Sequence, residues 1–270
     1  GLGDNRSLAV NSDILDASIE GKYHLKTLPH YFKNLVKNYV PSINFKRVPF
    51  RPQNFAFKLR LKNFEPISLL FLPKVKIPEP AVFNGRFASA DSVATFNAFA
   101  PLITYNKIKI NNLIIDETTT KKAMNIFITS DRIDITDSLY VQNVNMANIL
   151  ENDSLNLNIK LSDKDASNQL DLNGLAVFSG ETFANVSLLP SEVLINRETW
   201  KVQEQVRFGF DQGKMTVDSF QLSRNNQALT VNGTISNNPD DHLILGFSRF
   251  DLTTFNPITV PLGINLTGEL

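Results

Sequence analysis

Most of this chain alternates apolar and polar residues with a period of two. Phe55-Ala56-Phe57-Lys58-Leu59-Arg60-Leu61-Lys62 is the clearest run, and Lys107-Ile108-Lys109-Ile110, Leu155 to Leu161 and His242 to Phe247 follow the same rule. Successive side chains of a strand point to opposite faces, so each run reads as a strand with one apolar face. Asn111-Asn112, Ser162-Asp163 and Asn237-Asn238-Pro239-Asp240-Asp241 read as turns between runs. Strands at this spacing predict an all-β chain of roughly sixteen antiparallel strands.

One strand pattern recurs: an apolar run that ends in glycine. Its copies are Ala17 to Gly21, Ala81 to Gly85, Leu170 to Gly174, Leu229 to Gly233 and Ile264 to Gly268. Each glycine falls in phase with the large apolar residues, which places it on the apolar face. Imperfect copies of one strand suggest a sheet extended by repetition, a surface or conduit more than a single pocket.

Three segments depart from the alternation. Leu28, Phe32, Leu35, Val36 and Tyr39 recur at helical spacing before Pro41, which predicts a helix over about 28–40. Glu65 to Leu72 reads as a short helix with proline in its first turn, able to plug one end of the sheet or a gap in it. Asn145 to Glu151 reads as a single helical turn. The whole of 1–270 is expected to be one elongated unit. Its start at Gly1 and its end at Leu270, inside a strand pattern, suggest a fragment of a longer protein.

Composition narrows the chemistry. Lys plus Arg and Asp plus Glu number 27 each, so no net basic field favours nucleic acid. The basic stripe Lys58, Arg60, Lys62 lies opposite Phe55 and Phe57 and reads as a solvated outer face. The absence of Cys rules out disulfides, thiolate metal sites and a Cys nucleophile. His24, His30 and His242 show no metal-ligand spacing, and Asp131, Asp134 and Asp137 lack the rest of a calcium loop. Neither a nucleophile elbow nor a phosphate loop is present, and no carboxylate pair stands out. The expectation is a chain without catalytic residues, cofactor or metal. No apolar run is long enough, at about 18 residues, to span a membrane as a helix.

What remains is the apolar face itself. Phe83, Phe87, Leu155, Leu157, Ile159, Leu161, Leu170, Leu172, Leu229, Val231, Ile235, Leu243, Leu245, Phe247, Ile264 and Leu266 are expected to line it. Twenty Phe against one Trp suit a dry surface and argue against a carbohydrate platform. Two arrangements satisfy the pattern: a closed sandwich with a sealed core, and a long curled sheet whose inside stays open.

Several stretches, taken in order, resemble the TamB and AsmA-like family, especially its long Bacteroidetes members. They are Gly21 to Pro29, Phe64 to Pro73, Val82 to Ser89, Ala100 to Tyr105, Ser191 to Trp200, Phe220 to Leu222 with Asn226 to Gly233, and Leu243 to Leu252. The resemblance implies a β-taco, a curled groove that is apolar inside and polar outside. It also implies a periplasmic segment of a protein anchored in the inner membrane of a Gram-negative bacterium. The implied function is non-enzymatic phospholipid transport between inner and outer membranes. The alternative is a scaffold that aids outer-membrane protein assembly and secretion by strand-edge pairing. The implied partners are acyl-chain lipids and, through regions outside this stretch, an outer-membrane β-barrel.

Overall fold

The computed structural model describes residues 5–44, 46–49, 51–91, 93–180, 183–202, 206–211 and 213–270. It is one long antiparallel sheet of 18 strands, partly curled into a ring, with three short helices. The first strands are β1 (Arg6–Asn11), β2 (Leu15–Lys22), β3 (Asn54–Leu61), the two-residue β4 (Val75–Lys76) and β5 (Ala81–Ala88). The long strands β6 (Val93–Tyr105), β7 (Ile108–Thr119), β8 (Met124–Asp134), β9 (Tyr140–Glu151), β10 (Ser154–Ser162) and β11 (Gln169–Phe178) follow. From β5 to β11 each strand pairs with the next, as short polar turns dictate.

Beyond β11 the ladder divides. β12 (Phe183–Leu188) and β13 (Ser191–Ile195) both pair with β11, one along each half of it. β14 (Glu198–Val202) pairs with β13, and β15 (Arg207–Asp211) pairs with β12. Both rejoin on β16 (Lys214–Arg224), and β17 (Gln227–Ile235) and β18 (Leu243–Ser248) complete the sheet. Pro190, which has no N–H for a ladder, sits where β12 gives way to β13.

The helix expected over about 28–40 is α1 (Leu28–Tyr39), and it ends before Pro41. Its buried residues Tyr31, Asn34, Leu35 and Tyr39 form one face. That face packs with Phe55 and Phe87 of β3 and β5, and also with Leu150 of β9 and Phe178 of β11. Strands are stacked about 4.8 Å apart, so a straight sheet would hold β3 and β11 far beyond the reach of one helix about 10–12 Å across. The sheet therefore curls around α1. Polar contacts fix the wrap: Tyr39 Oη donates to the Thr120 carbonyl (2.6 Å), and Asp153 N donates to the Tyr39 carbonyl (2.8 Å).

The short helix α2 (Glu65–Phe71) covers the opposite strand ends of β2 to β6, with Leu61, Phe64, Ala81 and Ala100 buried around it. At the C-terminus a 3-10 turn over Leu252–Phe255 and α3 (Asn256–Thr259) fold back over the second half of the sheet. Trp200, Val206, Leu222, Leu229 and Phe250 are buried there.

Three expectations are corrected. Asn145 to Glu151 belongs to β9, because ladders to β8 and β10 on both sides hold it extended. Asn111-Asn112 lies inside β7, where Asn112 takes φ 50° and kinks the strand without ending it. Ile264 to Gly268 is not a strand. Gly263 (φ 83°) closes a 3-10 turn over Val260–Leu262, and Asn256 then holds the backbone of Leu266 through both its side-chain oxygen (2.9 Å) and nitrogen (3.1 Å).

Candidate functional site: an unsealed apolar face

Cross-strand partners in a sheet share a face, so the registers trace the lining strand by strand. One row runs Leu8, Ile19, Phe57, Gly85, Phe96, Glu117, Ile126, Asn148, Leu157, Gly174 and Leu188. The next runs Val10, Ala17, Leu59, Phe83, Ala98, Ile115, Ile128, Met146, Ile159 and Leu172. In the second half, Leu229 faces Phe247, Val231 faces Leu245 and Gly233 faces Leu243. Met215 faces Ile235 in the neighbouring pair. Of the residues expected to line the apolar face, all but Ile264 and Leu266 stand on it. Those two lie in the C-terminal segment, outside any strand.

The glycines of the four copies that form strands, Gly21, Gly85, Gly174 and Gly233, are on the same face. Gly85 sits under an aromatic ring: a Cβ there would lie 2.6 Å from Phe57 Cε1 and 2.6 Å from the Thr95 carbonyl. The missing side chain thus gives Phe57 room to lie flat across the neighbouring strand. Gly233 serves another purpose. Its φ of 119° is open to glycine alone and lets the strand end swing against the His242 carbonyl.

This face is not a sealed core. Leu155, Leu157, Ile159, Leu161, Leu170 and Leu172 are half-buried, and Ile235 and Leu245 are exposed. Most buried apolar residues gather in three separate clusters, beneath α1, α2 and the C-terminal fold-back. Total accessible surface is 16525 Å² for 30.3 kDa. A compact monomer of that mass exposes about 11,800 Å². The excess is what one sheet with an open inner face requires and a closed two-layer sandwich does not.

An apolar recess lies where Leu28 and Phe32 of α1 overhang Leu8, Ile19, Phe55, Phe57, Leu59 and Phe87, and it encloses about 310 Å³. Of these residues only Phe87 stood among the expected lining. The alternation of Phe55, Phe57 and Leu59 was visible in the sequence. What it lacked was the helix that turns their surface into a recess.

One acid interrupts the lining. Glu117 lies between Phe96 and Ile126, and its Oε1 is buried without a hydrogen-bond partner. Burial pushes its carboxyl up to about 7. Across from it on α1, burial, with Tyr39 and Glu117 adding to the effect, pushes the Tyr31 phenol up to about 12. Glu117 reads as polar in the sequence, yet it shares the phase of Leu113 and Ile115, and that phase was the signal that could have found it.

The outer face is mostly polar, with exposed Val82, Phe99, Ile114, Phe127, Ile149 and Ile244 set among its polar side chains. Lys58 and Arg60 are exposed, and Lys62 pairs with Asp16 at 2.6 Å. A larger cleft of about 1150 Å³ lies along the divided ladder. Lys160, Asp171, Glu192 and Lys201 line it, and Lys160 bonds Asp171 at 2.9 Å. The Lys160 ammonium holds the Asp171 carboxyl below its ordinary value. Leu161, Leu170, Leu194 and Val202 line the cleft as well, so its wall is mixed, and it is separate from the apolar recess. Among the described residues no group of His, Asp and Glu is placed to hold a metal ion, and no helix is long and apolar enough to cross a membrane.

The fold and the lining together define a curled single-sheet protein with an accessible apolar inner face. Comparison with protein-family models, with curated proteins and with solved structures gives no match.

Proposed function

We propose that this chain is a non-enzymatic lipid-handling groove, a periplasmic segment of a TamB-like protein that passes acyl-chain lipids between inner and outer membranes. The observation that carries the reading is the run of half-exposed apolar rows from β1 to β18. An acyl chain laid on that face leaves water at a gain of about 0.8 kcal/mol per buried methylene. The headgroup stays at the rim, in water. Because Leu, Ile, Val and Phe repeat at each strand, successive positions offer similar energies, and a lipid moves along without a deep trap. The overhang of Leu28 and Phe32 supplies a place to start or pause. The ordered resemblance to the TamB and AsmA-like family supports the same reading.

Replacing Leu157 or Val231 with Asp puts a charge in the middle of the lining. Lipid recovered by organic extraction of the purified protein should then fall several-fold, with circular dichroism unchanged. Unaltered lipid content in folded Leu157→Asp protein contradicts the proposal.

A second reading rests on the edges. Among the described residues β1 pairs only with β2, and β18 only with β17. Each therefore offers a free row of backbone groups to an incoming strand, as an assembly scaffold for outer-membrane proteins requires. Lysine at Ile244, on the outer face of this edge strand, should then reduce client binding and leave lipid content intact.

A further inference from the structure

We infer that α2 and the turns beside it form a docking tip that seats on an anionic lipid bilayer. Leu69, Leu70, Phe71 and Leu72 are consecutive and are 72%, 76%, 74% and 51% exposed. They are not part of the inner lining, because the other side of α2, through Phe64 and Ile67, packs against Leu61 and Ala81. The segment is held as a rigid knob. Leu72 N donates to the Ser68 carbonyl (2.9 Å), and the Ser68 hydroxyl donates to the Val75 carbonyl (2.5 Å). Asn106 N donates to the Lys74 carbonyl (3.0 Å), which ties the β6–β7 turn to the base of the knob.

A contiguous apolar patch of several hundred Å² on a projecting element marks a contact surface. Its surroundings select the occupant. Lys74, Lys76 and Lys107 are exposed around the base, and Tyr105 beside them is 47% exposed. Glu65 opens the helix at its far end, and Glu79 lies in the return loop. Apolar side chains at the tip, with cations and a tyrosine one layer behind, match the depth profile of an anionic membrane interface. A second copy of the chain would bring lysines against lysines around the same patch, which opposes self-association. The inference does not depend on the inner face carrying lipid.

The test uses Phe71→Trp in the otherwise native chain. The native Trp200 is 1% exposed in a separate cluster, so its emission is a constant background. Vesicles of equal parts phosphatidylglycerol and phosphatidylcholine should shift the emission of F71W to the blue, and brominated acyl chains should quench it. Lys74→Glu with Lys76→Glu should lower vesicle partition about tenfold or more, and added salt should weaken binding of the native chain. Leu69→Asp with Leu70→Asp should abolish binding and leave circular dichroism unchanged, since both side chains face solvent. An F71W spectrum unmoved by vesicles overturns the proposal. So does a native chain whose dimer is broken by Leu69→Asp with Leu70→Asp while it ignores vesicles, because the patch is then a protein interface.

Discussion

Glu117 stands in a row of apolar side chains, and its carboxyl is pushed up to about 7 by burial. In the unfolded chain the same group titrates at its ordinary value, about 4.3. Between these values the folded protein holds a proton that the unfolded chain has lost. Stability is therefore highest below the lower value and falls as pH rises through the upper one. Glu117→Gln removes the titration and keeps the shape. The melting temperature of the native chain should decline from about pH 4.5 to about pH 7 by more than that of Glu117→Gln, with the variant the more stable at about pH 8. Parallel curves for the two proteins would show that Glu117 is solvated in the fold. At this scale the sequence was readable where side-chain type and phase agreed. Leu157, Val231 and Gly85 were placed on the right face by alternation alone. Glu117 and Asn148 were not, because a polar residue in the apolar phase is recognised only once the neighbouring strands show which row it occupies.

At the scale of elements, the helix from Leu28 and the short helix from Glu65 announced themselves through spacing and through prolines at their ends. The turn at Asn145 did not exist, since a polar interruption of the pattern weighs less than two flanking ladders. The C-terminal fold-back was misread for a related reason. Ile264 to Gly268 alternates like the true strands, but Pro261 with Gly263 has already turned the chain, and the segment meets extended backbone only from Gly268 to Leu270, against Phe250 to Leu252. Phe250 anchors this fold-back. It is fully buried, with ring centres 5.4 Å from Trp200, 5.5 Å from Phe247 and 5.1 Å from Phe255. Phe250→Ala should cost about 3–5 kcal/mol in chemical denaturation, as a large aromatic removed from a packed cluster does. A loss below about 1 kcal/mol would mean that the fold-back contributes little to holding the second half.

At the scale of the molecule, alternation carried the all-β class and the single apolar face, and it left sandwich and open sheet undecided. The difference lies in strand order and curvature, which side-chain period does not encode. The registers supply the first. The reach of α1 from β3 to β11 supplies the second. The result is a sheet bent around helical fillers at its strand ends, with an unsealed apolar inside and a mostly polar outside. A membrane-docking tip at α2 places one margin of that inside next to a bilayer.

On the proposed function, lipid occupies the inner face and not the outer one. Ile159 and Asn158 are neighbours on β10 that face opposite sides. A photoreactive phenylalanine analogue placed at each, in protein purified from lipid-containing membranes and irradiated, compares the two faces in one experiment. Lipid on the inner face should give adducts by mass spectrometry from position 159 and few or none from position 158. Equal labelling at both positions, or none at 159 in folded protein, would contradict it.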